Sequence, residues 1–377
     1  MTEAMPITPE IVTWARERAG YSIESLTSDF RRIAAWEAGD ALPSYPQLEK
    51  MAEKFKVPVA VFFFPEPPDV PRIEETFRTL GPHQIAEIPP RIRLLLRKAK
   101  SFQMSLEELH SGRNPAERLI TRDLAFRPTQ PIENIAVAVR EYLGVTIEQQ
   151  FEWRNVETAL DNWRKALLEV GINVFKDQFR AADFSGFCLY DEEFPIIYVN
   201  NTTAKSRQIF TLFHELAHLL FHTSGIDSRD DGFIEQLRGD NQRIEVICNN
   251  FAAYFLVPEE NFDAALTGLP PTEATASELA QLFSVSRECI FRKLLDKGLV
   301  TRVEYETAAD RWAKQGHRGS GGDYYRTKIS YLGPEYINFA FGKYYQNHIN
   351  YDELADILDT KPKNLDRLEE YLSRRAP

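Results

Sequence analysis

The stretch Arg207-Gln208-Ile209-Phe210-Thr211-Leu212-Phe213-His214-Glu215-Leu216-Ala217-His218-Leu219-Leu220-Phe221-His222 sets the reading of the whole chain. Leu, Phe and Ala fill most of its positions, the pattern of a largely buried helix. His214 and His218 are four apart and share one helical face. Two imidazoles so placed can ligate one zinc ion at about 2.0–2.1 Å each. Glu215 follows the first of them and is placed as general base for a water. The plain alternative is a buried helix with two satisfied histidines. Histidine is scarce, seven in 377 residues, which weighs against chance. A catalytic zinc site needs three protein ligands and an open position, so the reading turns on a third ligand.

The segment Glu245-Val246-Ile247-Cys248-Asn249-Asn250-Phe251-Ala252-Ala253-Tyr254-Phe255-Leu256-Val257-Pro258 supplies one. It reads as a helix that starts at Glu245 and stops near the proline. A carboxylate at the start of an otherwise apolar helix suits a metal, and His₂Glu is a known catalytic set. The alternative for Glu245 is an ordinary charge at a helix N-terminus. His222 continues the spacing of His214 and His218, but three ligands on one straight helix make a poor tetrahedron. It is read as a residue behind the ligands or a structural one. Asn249 and Tyr254 are further candidates for that supporting role, with His222 and Tyr254 also open as transition-state donors. Cys248, one turn from Glu245, is read as small buried filler, with a role for its thiol as the alternative. No methionine follows Met104, which excludes a metzincin Met-turn.

Bulk properties bound the rest. A chain of 377 residues holds two or three domains. Its 43% hydrophobic content can build real cores, and its net charge of −11 argues against a broad nucleic-acid-coating surface. Three cysteines form no CxxC and suggest no disulfide framework, which fits a reducing compartment. The N-terminal residues lack a basic stretch followed by an apolar one. No run approaches ~18 apolar residues, so no membrane contact is expected. A cytoplasmic location follows as an expectation.

Residues 7–56 read as short helices, with Ser22 as a cap and Gly39 as a stop. Val57–Pro68 is an apolar, proline-bounded linker expected to dock one domain on the next. From Pro89 to His110 a helix carries Arg91, Arg93, Arg97, Lys98 and Lys100, read as a solvated face, with DNA or an acidic partner as the alternative. Ile132–Leu143 and Val156–Val170 are amphipathic helices, and Val145, Phe151 and Trp153 between them are expected in the core. Gly186–Tyr190 and Pro195–Asn200 read as a hairpin beside the metal helix. In zinc peptidases an edge strand beside the active-site helix commonly pairs with extended substrate by strand addition; the plain alternative is a small structural sheet. Ala276–Ser286 leads into a helix ending near Gly298. Gly316–Gly322 reads as a flexible loop, and 324–348 as aromatic-rich helical core. Asn350 is a cap.

The two motifs together, H-E-L-x-H-x-L-x-H from His214 and E-x-x-x-N-x-F-A-x-x-x-L-x-P from Glu245, resemble the ImmA/IrrE-type metallopeptidases. Gly186-Phe187, Pro195-x-Ile197-x-x-Asn200 and Arg207-x-x-Phe210-Thr211 extend the match. The resemblance implies zinc held by His214, His218 and Glu245, and Glu215 as catalytic acid/base. It also makes the helices around 276–298 a closing pair of the peptidase domain. The family's usual Ala three residues after the ligand Glu is Cys248 here. The substrates it implies are narrow: often a helix-turn-helix repressor or nearby-encoded partner protein, in a stress, mobile-element or toxin–antitoxin response.

At the other end, Trp36-Glu37-x-Gly39, Pro43 and Leu48-x-x-Met51-Ala52 resemble the XRE helix-turn-helix family. That resemblance makes Arg31, Arg32 and Ala35 candidate DNA-contacting residues. Residues 1–69 hold 11 acidic against 7 basic residues, poor for phosphate neutralisation. A docking or dimerisation role for this module therefore stays open.

The expected fold is mostly α with a small β-sheet (α+β). A zincin-like minimal metallopeptidase core at 155–300 would stand between a helical linker segment at 70–154 and a helical extension at 301–377, with the helix-turn-helix domain at 1–69. The expected function is a zinc endopeptidase of gluzincin type with a regulatory module. The alternative is a DNA-binding transcription regulator or antitoxin-like protein whose metal site is structural.

Overall fold

A computed structural model describes residues 4–70, 88–153, 155–181, 183–222, 226–228, 240–313 and 322–374. The chain divides into two compact units, Met1–Lys98 and Ala99–Pro377.

The first unit is helical: α1 (Pro9–Ala19), α2 (Ile23–Leu26), α3 (Ile33–Glu37) and α4 (Tyr45–Phe55), then a 3₁₀ turn at Val59–Phe63. Local chemistry explains each boundary. Pro9 opens α1, where its missing N–H costs nothing, and Gly20 leaves it at φ +80°. Ser22 Oγ accepts from the Ser25 N–H to cap α2. Ser44 and Gln47 form a capping box on α4. Ile11, Leu26, Trp36, Leu48, Met51, Phe55 and Phe62 fill the core. Arg16 grips Glu37 with two donors, at 2.6 and 3.1 Å, and so ties α1 to α3. Both signature residues Trp36 and Glu37 are thus occupied in packing. The apolar linker lays Phe62 into this unit's own core and leaves Phe63 and Phe64 exposed.

Helix α5 (Pro90–Leu109) contains the division point. Two of its basic residues, Arg93 and Arg97, depart from the solvated face expected of them, while Lys100 is exposed. Arg93 is buried and donates to the Ile88 carbonyl. Arg97 donates to Phe55 O at 3.1 Å, closing the C-terminus of α4. Burial lowers the Arg97 pKa to about 10.

In the second unit α6 (Ile120–Asp123), α7 (Ile132–Leu143), α8 (Ile147–Glu152) and α9 (Val156–Glu169) precede β1 (Asn173–Asp177), β2 (Phe184–Leu189) and β3 (Ile196–Asn200). Then come α10 (Lys205–Leu220), β4 (Ile226–Ser228), α11 (Asp240–Leu256), α12 (Glu259–Leu266), α13 (Glu273–Phe283) and α14 (Arg287–Asp296). The chain continues through α15 (Arg302–Ala313), α16 (Tyr324–Leu332), α17 (Pro334–Tyr345), α18 (Tyr351–Ile357), a 3₁₀ turn at Pro362–Asn364 and α19 (Leu365–Ser373). The fold is mostly α with a small sheet, as expected.

The strands lie in the order β1-β3-β2-β4. β2 and β3 are the expected hairpin, antiparallel with Phe187 opposite Tyr198. β1 joins β3 in parallel, and β4 joins β2 antiparallel. Neither hairpin strand is therefore an edge; among the described residues β1 and β4 are. Helix α16 packs on β1.

One core runs through α7, α9, α10, α11, α13 and α14. Trp163 meets Phe213 edge-on at 4.8 Å, and Phe213 stacks on Phe255 at 4.1 Å, so one aromatic chain fixes α9, α10 and α11. Val145, Phe151 and Trp153 pack against this core, as their sequence context predicts, and so does the pair α13–α14. Buried Gln150 donates to Leu256 O and Phe283 O, closing the ends of α11 and α13. Arg164 on α9 donates to Val174 O at 2.8 Å and Ser330 O at 3.0 Å, which pins α16 to the sheet. Asn350 completes a capping box with Glu353. Most of the predicted loop at Gly316–Gly322 lies outside the described residues.

Candidate metal centre

Helix α10 begins without a side-chain cap and is buried on all sides from Thr211 to Leu220. An apolar helix in such a setting has no solvent for its polar side chains, so each must meet a partner. His214 and His218 do so by turning inward. Their Nε2 atoms lie 3.2 Å apart.

Glu245 comes from α11, the helix that packs along α10. Its Oε2 is 3.3 Å from His214 Nε2 and its Oε1 is 3.2 Å from His218 Nε2. All three ligand atoms fall within 4.8 Å of one another, and all three residues are buried. Glu245 does not start its helix, as the sequence suggests; α11 begins at Asp240, placing the carboxylate in the second turn. That removes the alternative of an ordinary charge on the first helical residue.

The electrostatics follow from this closeness. Burial pushes the Glu245 carboxyl upward, but His218 and His214 outweigh it and hold the group well below the usual carboxylate range. Burial likewise opposes charge on His218, while Cys248 and Glu245 raise its pKa well above the ordinary value.

The donor set fits a metal ion. Two imidazole nitrogens and one carboxylate converge, and the ring nitrogen of His214 that faces away is engaged. His214 Nδ1 lies 2.9 Å from Asn249 Oδ1. An amide oxygen only accepts, so Nδ1 carries the proton and Nε2 keeps its lone pair for a cation.

Glu215 is fully buried beside these residues. It faces β2 at Gly186. A Cβ added to Gly186 would lie 3.7 Å from Glu215 Oε1, 3.0 Å from Tyr198 O and 2.4 Å from Thr211 Cγ2. Only a residue without a side chain lets the helix come this close to the strand.

The other candidates lie elsewhere. His222 falls beyond the end of α10 with φ +55°, so the helical spacing that would align it with His218 no longer applies. It pairs with Thr121 O at 3.1 Å and sits beside the Tyr190 ring. Tyr254 packs on the core with Lys293 near its ring. Arg31 and Arg32 are exposed beside α3 and Ala35 is half-buried, all in the first unit.

Residues 168–295 match the family model described as the IrrE N-terminal-like domain. This part of the chain is similar to that family. Over 132 residues the chain is 34% identical to the radiation response metalloprotease IrrE of Deinococcus deserti, covering 34% of this chain and 46% of that protein. Over 99 residues it is 33% identical to the radiation response metalloprotease IrrE of Deinococcus radiodurans, covering 26% of this chain and 30% of that protein. The chain thus spans less than half the length of these curated relatives. The matched residues contain the four described strands, both helices of the metal centre, α13 and nearly all of α14. Among the described residues no helix is long and apolar enough to cross a membrane.

Cys248, read from sequence as small buried filler, is fully buried, and Asn249, named there as a supporting residue, is the one that meets His214.

Proposed function

We propose that the chain is a zinc-dependent endopeptidase that cuts a protein substrate in a stress response. The observation that carries this reading is the convergence of His214, His218 and Glu245, with Glu215 buried next to His214 on α10. His214 and His218 would hold zinc through Nε2 and Glu245 through its carboxylate. Bound there, zinc supplies Lewis acidity that polarises a carbonyl and acidifies a water. Glu215 takes the proton of the attacking water on a carboxylate oxygen and passes it to the leaving amine. Its burial keeps bulk water from competing for that proton. Asn249 holds the His214 ring in the tautomer that ligation needs.

The two Deinococcus relatives are radiation response metalloproteases, which supports a role under radiation or similar stress. In this reading residues 155–300 are a zincin-like peptidase domain and 301–377 a helical extension. Residues 70–154 connect it to a helix-turn-helix module at 1–69, whose exposed Arg31 and Arg32 offer charge to DNA. The substrate is a repressor or other partner protein.

Elemental analysis of the purified chain tests the metal, and substrate trapping with Glu215→Gln tests the activity. About one zinc per chain and a captured protein that the parent cleaves are expected. A chain that takes up no zinc from stoichiometric solution would sink the reading.

A further inference from the structure

The strand that packs on the metal helix is irregular at one place, next to the glycine that meets Glu215. Against β4, Phe184 pairs with Ser228 and Gly186 with Asp227, so Ser185 is an extra residue in β2, a β-bulge. Neighbours on a regular strand point to opposite faces. Here both meet side chains of α10. Ser185 is fully buried, and its Oγ accepts from Arg207 Nε at 3.1 Å. Gly186 lies against Thr211 and Glu215. Arg207, Thr211 and Glu215 follow one another at intervals of four and share one side of the helix. The Arg207 guanidinium also lies over the Phe210 ring, 5.2 Å from its centre, which holds it in place. No side chain caps α10, and its first turn is tied to the sheet through Arg207.

We propose that Ser185 and Arg207 are positioning residues: their hydrogen bond locks β2 against α10 in the register that keeps Gly186 opposite Glu215. The inference rests on the zinc reading above and adds two residues to it. Glycine at 186 lets strand and helix approach, but it puts no stop on sliding along the strand. A charge-assisted hydrogen bond to a hydroxyl on the bulge supplies that stop. Without it, a neighbour that carries a side chain can drift toward Glu215 and displace the carboxylate. A misplacement of about 1 Å is enough to cost a reaction much of its rate. The three ligands sit on α10 and α11, so the metal set does not depend on the register of β2.

The test uses the full chain as parent, Ser185→Ala, Arg207→Met, Arg207→Lys and the double variant Ser185→Ala/Arg207→Met, each also combined with Glu215→Gln. Zinc affinity, by competition with a chromophoric chelator, reads the ligands. Acetohydroxamate affinity of the cobalt(II)-loaded proteins, by visible absorption, reads Glu215, because a hydroxamic acid gives up a proton as it chelates and a neighbouring carboxylate takes it. We expect zinc affinity to match the parent's throughout. Ser185→Ala and Arg207→Met should each bind acetohydroxamate roughly tenfold more weakly. The double variant should lose no more than the worse single one, since both remove the same bond. Arg207→Lys, which keeps a donor, should lose less than Arg207→Met. With Glu215→Gln present, none of these substitutions should weaken acetohydroxamate further. Parent-like acetohydroxamate binding in both single variants would overturn the proposal. A loss that persists beside Glu215→Gln, or a zinc affinity that falls in step, would overturn it too, by making the pair a general prop of the fold. A parent that binds neither zinc nor cobalt overturns the zinc reading and this inference with it; failure of the inference alone shows with the metal in place. If Arg207→Met does not fold, Ser185→Ala, which removes a single oxygen, decides.

Discussion

Asn249 Oδ1 accepts from His214 Nδ1 at 2.9 Å, and that bond settles which nitrogen of His214 faces the cluster. The amide comes from the helix that carries Glu245, so one packing contact supplies a ligand and the group that orients another. Asn249→Ala should lower zinc affinity by about 10–100-fold while leaving the helices intact. Chelator competition measures the first, and circular dichroism checks the second. An unchanged affinity would mean that the ring is held by packing alone.

Glu215 and Glu245 are both buried acids near the same imidazoles, yet they should fail differently. Glu215→Gln should keep the metal and lose roughly 10²–10⁴-fold in cleavage rate, the range for a removed general base. Glu245→Ala should lose the metal itself, by more than Asn249→Ala does. Metal content and single-turnover cleavage, measured on the same preparations, separate the two. A Glu245→Ala protein that held zinc like the parent would contradict the assigned ligand set.

Arg164 joins the sheet to the C-terminal helices through Val174 O and Ser330 O. Arg164→Met keeps the aliphatic stem and strips two charged hydrogen bonds. A loss of about 2–3 kcal/mol is expected. Hydrogen exchange should rise first around Ser330 on α16. If exchange rises evenly over the whole unit, the arginine does not act as a local pin.

His110 stacks on Phe339 with centroids 4.0 Å apart, and burial, aided by Lys343, lowers its pKa to about 4. The unfolded chain takes up that proton near the ordinary value of 6.5, while the folded chain refuses it until about 4. Stability should therefore fall as pH drops through this interval. His110→Phe keeps a ring against Phe339 and has no proton to gain. Its Tm should drop less than the parent's between pH 7 and pH 5, measured by thermal melts of metal-free protein. Equal drops would place the acid sensitivity elsewhere.

Much of the site was legible because it rests on short-range arithmetic. Four residues separate His214 from His218, and a helix turns that spacing into a shared face. Glu245 was readable as a carboxylate on an otherwise apolar helix, although the start of α11 was not, since helix ends fray into polar residues that carry no period. His222 misled for the opposite reason: spacing assumes that the helix continues, and α10 stops two residues earlier. β1 escaped because Lys176 and Asp177 are buried and break the expected apolar pattern. β4 is three residues long, too short for any alternation. Arg93 and Arg97 read as solvated because a sequence shows their charge and not the backbone carbonyls that receive it.

The bare backbone at Gly186 has one more consequence. With strand and helix in such close contact there, α10 cannot roll about its own axis without collision. The aim of the Glu215 carboxylate is therefore inherited from the sheet. Its orientational freedom is surrendered once, when the chain folds, and none of it has to be recovered at each turnover.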